Sequence, residues 1–137
     1  MPYFKDAQEV YDTIGRLFQT LAADEELGPK FRQADTIVRY EYTEPDSAIT
    51  ARLQDEADDV DFGESEMEPE VTMRMQADTA HRFWLGEVNV TTAIARGEIK
   101  PHGPVSKILK LVPLAKPVFP RYRALLEEQG RTDLLDA

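Results

Sequence analysis

Four consecutive segments between Thr36 and Ala77 alternate apolar and polar residues with a period of two, and this run constrains the fold most. The apolar positions are Val38, Tyr40 and Tyr42; Ile49, Ala51 and Leu53; Val60 and Phe62; and Val71, Met73, Met75 and Ala77. Such alternation is typical of strands with one buried face. Glu44, Pro45 and Asp46 supply turn residues between the first two segments. The run therefore predicts an antiparallel meander of four strands.

Two helices are predicted before the meander. Residues 5–24 carry apolar residues three and four positions apart, which indicates an amphipathic helix with one buried face. A second, shorter helix is predicted around residues 24–33, where Gly28 and Pro29 limit its length.

Two capped helices and a short strand are predicted after the meander. Asp78 can accept hydrogen bonds from the free amides of a first helical turn, and Gly86 suits the left-handed residue that ends such a helix. Asn89 and Gly97 bracket a second short helix in the same way. In the strand that follows, Pro101 lacks a ladder donor and confines the strand to an edge of the sheet.

The remaining sequence predicts further helices. Gly103 and Pro104 precede a helical pattern over residues 105–112, and a last helix is predicted over residues 121–129. A run of strands separated from runs of helices predicts an α+β domain with the helices packed on one face of the sheet. No linker is visible, so residues 1–137 are predicted to form one domain. The pattern indicates no particular oligomeric state.

Composition excludes several classes of function. The chain has no cysteine, which excludes disulfides, thiolate zinc sites and cysteine nucleophiles. Its net charge of -10 opposes binding to a phosphate backbone, so no nucleic-acid partner is predicted. The first residues lack the pattern of a secretory signal and no apolar run has the ~20 residues of a membrane span, so a cytoplasmic location is expected.

Charge is distributed unevenly along the chain. Residues 55–70 are crowded with acids, whereas no acid lies between Glu98 and Glu127. The basic residues of that second region are Lys100, Lys107, Lys110, Lys116, Arg121 and Arg123. Within the acidic run, the alternating Glu64, Glu66, Glu68 and Glu70 match no calcium-loop template with its required turn glycine, so we interpret the run as solvated and predict neither a metal site nor a cofactor.

The segment MQADTAHRFWLGEVNVTTAIARGEIKPHGPVSKILKL, from Met75 to Leu111, resembles the C-terminal half of the sterol carrier protein 2 (SCP2) domain family. The shared pattern is a strand, a capped helix ending at Gly86, a second helix ending at Gly97, a short strand closed by Gly103, and a helix. The preceding helix and meander agree in order, so the resemblance covers most of the chain. Glu98 and Pro101 depart from the basic and aliphatic residues that are usual in the family.

The resemblance implies an SCP2-like sheet with a short fifth strand, and an apolar tunnel between sheet and helices. The tunnel would bind a hydrophobic lipid: a sterol, a fatty acyl chain or a phospholipid. Carried over by position, the ligand-binding residues would be Val71, Met73, Met75, Phe83, Trp84, Ile94, Ile99, Ile108, Leu109 and Val112. An empty tunnel of ~300 Å³ would cost ~7 kcal/mol, so we expect the unliganded protein to collapse around it, hydrate it or retain a lipid.

Other interpretations remain beside this one. The same apolar residues suit an ordinary core, and the domain would then be an interaction or dimerisation module with a vestigial pocket. Lysines beside exposed apolar residues also suit a transient contact with an anionic membrane, for which Lys107, Lys110 and Lys116 are the candidates.

An enzymatic interpretation is weaker. It would use Asp78 or Glu87 with His81, because Asp78 and His81 are one helical turn apart. We interpret that pair instead as a helix cap and a surface imidazole, and we predict no catalytic residues and a non-enzymatic role.

Overall fold

The computed structural model describes residues 3–54 and 60–135, so the part of the acidic run over residues 55–59 lies outside the described residues. One five-stranded sheet has the order β3-β2-β1-β4-β5. Its strands are β1 (Thr36–Thr43), β2 (Ser47–Leu53), β3 (Val60–Phe62), β4 (Val71–Gln76) and β5 (Ile99–His102). The α+β class and the short fifth strand are confirmed.

The pairing of β4 departs from a continuous meander. Strands β1, β2 and β3 pair antiparallel in sequence order, and β5 pairs antiparallel with β4, but β4 lies parallel to β1. The register sets apolar residues side by side: Val38 with Val71, Tyr40 with Met73, and Tyr42 with Met75. This arrangement puts β1 at the centre of the sheet between β2 and β4, while β3 and the proline-containing β5 occupy its edges.

Helices flank the sheet in the predicted order, and one further helix, which was not predicted, follows the expected last one. They are α1 (Ala7–Val10), α2 (Arg16–Ala23), α3 (Leu27–Arg32), α4 (Ala77–Trp84), α5 (Val90–Ala95), α6 (Val105–Leu111), α7 (Phe119–Glu128) and α8 (Thr132–Leu135). A π-helical segment, Tyr11–Gly15, joins α1 to α2. A Cβ on Gly15 would lie 2.7 Å from the ring of Phe62, so only glycine allows this close approach to β3.

The two predicted helix caps have different outcomes. Asn89 caps α5 as predicted, because its side-chain oxygen accepts a hydrogen bond from the Thr92 amide at 3.0 Å. The prediction for Asp78 is wrong, since β4 runs directly into α4 and the capping position falls at Gln76. Asp78 lies inside the first turn, where its Oδ1 accepts a hydrogen bond from the Tyr3 amide at 2.8 Å. The carboxylate thus ties the N-terminal segment to α4.

The two faces of the sheet differ in polarity. Buried apolar residues of the inner face pack against those of the helices in a continuous core. On the outer face Glu41 pairs with Arg39 at 3.5 Å and with Arg74 at 3.3 Å. The buried space between sheet and helices is therefore the region in which an apolar ligand would be held.

Candidate functional site

A cavity of about 90 Å³, partly open to solvent, lies between the inner face of the sheet and the helices. Its lining is apolar apart from the polar groups of Tyr40, Tyr42, Trp84 and Arg52. At roughly 24 cal/mol per Å³, a void of this size costs ~2 kcal/mol, which a folded domain can tolerate. The cavity is smaller than the tunnel of ~300 Å³ expected from the sequence. The apolar faces of the sheet and the helices therefore leave space between them, but less than that expectation.

Most of the residues assigned to the lining from sequence do lie around this cavity. They are Met73, Met75, Phe83, Trp84, Ile99, Ile108 and Val112. Strand β4 contributes Met73 and Met75, and β5 contributes Ile99. The aromatic pair comes from α4, and the last two residues come from the region of α6. The structure therefore brings together side chains that are up to 39 positions apart in the sequence.

Three of the assigned residues lie elsewhere. Val71 is fully buried in a small cluster with Val38 and Ala51, beneath the partly buried side chains of α6. Ile94 and Leu109 are 37% and 65% exposed, and neither lines the cavity. For Leu109 the reason is helical geometry: successive residues are turned by about 100°, so a helix that directs Ile108 inward directs its neighbour away.

Strand β1 supplies lining residues that the sequence argument missed. Val38, Tyr40 and Tyr42 all border the cavity. Their alternation was visible in the sequence, but the parallel pairing that puts them beside Met73 and Met75 was not. Burial raises the pKa of Tyr40 to about 12, so its phenol is neutral at physiological pH.

Helix α6 covers the cavity without burying any residue completely. Ile108 and Leu111 face the cavity, whereas Val105 and Leu109 are 69% and 65% exposed. The helix follows Gly103, whose φ of +134° favours glycine and where a Cβ would lie only 2.4 Å from the Glu70 carbonyl oxygen. The beginning of α6 is thus held close to the sheet, while its outer face is apolar and solvated.

The three lysines assigned to membrane contact have different surroundings. Lys107 donates a hydrogen bond to the Asp35 carbonyl and lies 3.7 Å from the Glu70 carboxylate. Its side chain is only 22% exposed, so it ties α6 to the sheet and is not a free surface cation. Lys110 and Lys116 are exposed.

The prediction that His81 is a surface imidazole is wrong. Its ring is fully buried, with Nδ1 2.8 Å from the Tyr122 hydroxyl and Nε2 2.8 Å from the Leu134 carbonyl. Since a carbonyl only accepts, Nε2 carries the proton and Nδ1 accepts from Tyr122. Burial lowers the pKa of His81, against the opposing effects of the Leu134 carbonyl and the carboxylates of Asp78 and Glu87. The imidazole therefore joins α4 to α7 and α8 in its neutral form.

The candidate catalytic groups do not reach the cavity. His81, Asp78 and Glu87 are all missing from its lining, and Glu87 is exposed on the surface. Within residues 3–54 and 60–135, no three side chains of metal-ligating type come together. Nor does any helix in these ranges have the length and apolar character needed to cross a membrane. The arrangement around the cavity suits non-covalent binding of an apolar molecule.

Comparison with known proteins agrees with this geometry. The model of the SCP-2 sterol transfer family matches residues 15–116. The chain belongs to this family. The SCP2 family is known for lipid binding and transfer, and the matched range includes the whole sheet, α6 and every residue that lines the cavity. A search of curated protein sequences finds no significant match.

Solved structures of SCP2 domains share the fold. Sterol carrier protein domain 2 of Helicoverpa armigera superimposes with a TM-score of 0.68 at 16% identity, over 87% of this chain and 94% of its own. Apo sterol carrier protein 2 from Yarrowia lipolytica gives 0.63 at 16% identity, over 77% and 88%. The UbiJ-SCP2 ubiquinone synthesis protein gives 0.59 at 21% identity, over 86% and 95%. At these identities the likeness establishes the SCP2 fold alone.

Proposed function

We propose that this SCP2-family chain binds one hydrophobic lipid, a sterol, a fatty acyl chain or a phospholipid, between its sheet and α6. Binding is non-covalent and the protein transfers the lipid between membranes. The observation that carries the proposal is an apolar cavity covered by a helix that buries none of its residues completely. Membership of a lipid-binding family supports it.

Ligand entry requires α6 to move. Pockets for ligands of this size are typically ~300 Å³ or more, whereas the cavity measures about 90 Å³. Moving α6 exposes Ile108 and Leu111, which are already partly solvated. Each methylene buried in return contributes about 0.8 kcal/mol, so eight of them contribute ~6 kcal/mol. Burial of the ligand therefore offsets the exposure of these two side chains.

The outer face of α6 suits contact with an anionic membrane. Val105 and Leu109 are one turn apart and exposed, and Lys110 and Lys116 lie exposed nearby in the sequence. Apolar side chains of this kind insert below lipid headgroups while lysines pair with anionic ones. Docking by this face would bring the cover of the cavity to the lipid surface, where the ligand is taken up or released.

A second candidate function is an interaction module whose pocket no longer binds lipid. The small volume of the cavity favours it. The similarity to a ubiquinone synthesis protein is consistent with the SCP2 fold having more than one biological role. In this case the exposed apolar face of α6 would contact a protein partner.

Two double variants of α6 separate these functions. Ile108→Asp with Val112→Asp puts one carboxylate into the lining and a second at its 42% exposed rim, just after α6. The pair should abolish uptake of a fluorescent fatty acid, because the charge at position 108 would be buried against the acyl chain. Val105→Asp with Leu109→Asp is the matched control, since it adds the same charge to the same helix on its exposed face. The control should retain uptake, and circular dichroism would verify folding of both.

Unchanged uptake by a folded Ile108→Asp, Val112→Asp protein would overturn the assignment of α6 as the cover of the site. If the wild-type protein takes up no fatty acid, sterol or phospholipid analogue at all, the interaction module becomes the better description.

A further inference from the structure

Within residues 3–54 and 60–135, two buried hydroxyl groups have no acceptor for their proton: Thr36 Oγ1 and the Tyr42 hydroxyl. Thr36 is fully buried and Tyr42 is 3% exposed. Buried hydroxyls are nearly always paired, because an unpaired one loses its hydrogen bonds to water without replacement. Each therefore requires a structural or functional reason.

Only one of these two hydroxyls belongs to a residue of the cavity. Tyr42 lines it together with Tyr40, and their ring centroids are 6.3 Å apart. Thr36 is not part of the lining. A molecule in the cavity can therefore contact Tyr42 but not Thr36.

The Tyr42 phenol is a neutral donor. Burial raises its pKa well above the ordinary value, the nearby Tyr40 and Tyr122 act in the same direction, and a hydrogen bond from the Trp84 indole, which can only donate to the phenol oxygen, acts in the opposite one. A phenol in this state can donate its proton to an oxygen acceptor.

The charged residue of the lining limits which kind of ligand oxygen can accept the proton of Tyr42. Among the described residues, Arg52 is the one charged residue of the lining, and it pairs in register with Ile37. Ile37 and Tyr42 are five residues apart on β1, which separates their Cα atoms by roughly 16 Å. An ionised carboxylate beside Tyr42 would be buried without a cation, which is strongly unfavourable.

We propose that Tyr42 determines ligand specificity by donating a hydrogen bond to an uncharged oxygen of the bound lipid. This inference rests on the proposed function and names its substrate class: lipids with a hydroxyl, ketone or ester oxygen at the end that lies beside Tyr42. Hydrocarbons leave the phenol unpaired, and fatty acids bind with their carboxylate away from it.

Three probes of equal chain length test the proposal: decane, 1-decanol and decanoate, each measured by displacement of diphenylhexatriene from the full chain. Tyr42→Phe should weaken 1-decanol about fivefold to tenfold. Binding of decane and decanoate should change less than twofold. The unliganded variant should melt at the same temperature or higher, because the substitution removes an unpaired buried hydroxyl.

Thr36→Val is the matched control. It removes the other unpaired hydroxyl with little change of shape, so it should leave the affinities of all three probes unchanged. Tyr40→Phe is a comparison inside the cavity, and it tests whether the neighbouring phenol accounts for the preference for 1-decanol.

Several results would overturn the assignment. One is that folded Tyr42→Phe affects decane and 1-decanol equally, or affects neither. Another is that Tyr40→Phe removes the preference for 1-decanol while Tyr42→Phe does not. If the wild-type protein binds none of the probes, the proposed lipid-binding function itself is wrong. This result differs from the two above, in which the wild-type protein does bind the probes.

Discussion

The region of α6 and the region of α7 and α8 are both C-terminal and both carry apolar residues at helical spacing, yet they pack in opposite ways. Helices α7 and α8 bury Tyr122, Leu126 and Leu134 almost completely. Helix α6 buries none of its residues, and Val105 and Leu109 are mostly exposed. The same kind of sequence thus forms a fixed part of the core in one place and a weakly held cover in the other.

Polar contacts reinforce this difference. Buried His81 holds α7 and α8 through hydrogen bonds to Tyr122 and to the Leu134 carbonyl. Helix α6 is held by Lys107, whose partners Asp35 and Glu70 are largely exposed. Exposed ion pairs typically contribute less than about 1 kcal/mol, whereas leaving one partner of a buried hydrogen bond unpaired costs about 1–3 kcal/mol. Movement is therefore easiest where the cavity is covered.

The largest expected effect is the loss of a side chain from the fixed region. Leu126→Ala should lower the free energy of unfolding by about 2–5 kcal/mol, because it opens a void in a fully packed site. Ile108→Ala removes a similar side chain from partly solvated α6 and should cost about 1 kcal/mol. Urea denaturation of both variants makes the measurement, and equal losses would contradict the distinction between the two regions.

A smaller effect is expected from pH at His81. The pKa of His81 is lowered in the folded protein, so below pH ~6.5 the unfolded chain binds a proton that the folded one resists. Stability should therefore fall as the pH decreases below that value, by at most about 1.4 kcal/mol per pH unit. Protonation also prevents Nδ1 from accepting the Tyr122 hydrogen bond.

The two histidines of the chain provide the control for this prediction. Denaturation between pH 5 and 8 should show a reduced pH slope in His81→Gln, and His102→Gln, which removes an exposed imidazole, serves as the control. A wild-type slope retained by His81→Gln would show that other groups cause the dependence.

The smallest effect on stability is expected on the outer face of α6. Leu109→Ser should change the free energy of unfolding by no more than about 0.5 kcal/mol, because its side chain is mostly exposed. Binding to phosphatidylserine vesicles should nonetheless weaken several-fold, and Ile94→Ser, which removes another exposed aliphatic residue, should bind as wild type. Vesicle co-sedimentation makes the comparison. Undiminished binding by Leu109→Ser would remove this face from the docking surface.

The order and type of the elements were predictable from local pattern. Alternating residues gave β1 to β4, and Asn89, Gly97 and Pro101 marked α5 and an edge strand. Two details were not predictable in this way. The capping prediction for Asp78 is wrong because β4 and α4 join without a loop, and the surface position predicted for His81 is wrong because residues more than 40 positions away supply its partners.

The lining of the candidate site was predictable only in part. Spacing identified Ile108 and Val112 as members of one apolar stripe, but the same spacing also assigned Leu109 to that stripe. Which side of α6 faces the sheet depends on how the helix packs, and that depends on Gly103 and the neighbouring strands.

By itself the sequence determined which segments form helices and strands and which side chains are apolar, because periodicity and turn chemistry act over a few residues. Only the tertiary structure decided that β4 lies parallel to β1, that Tyr42 enters the cavity lining and that Leu109 remains outside it. These outcomes depend on contacts between residues distant in sequence. Pairing register and helix packing, which no local pattern specifies, set those contacts.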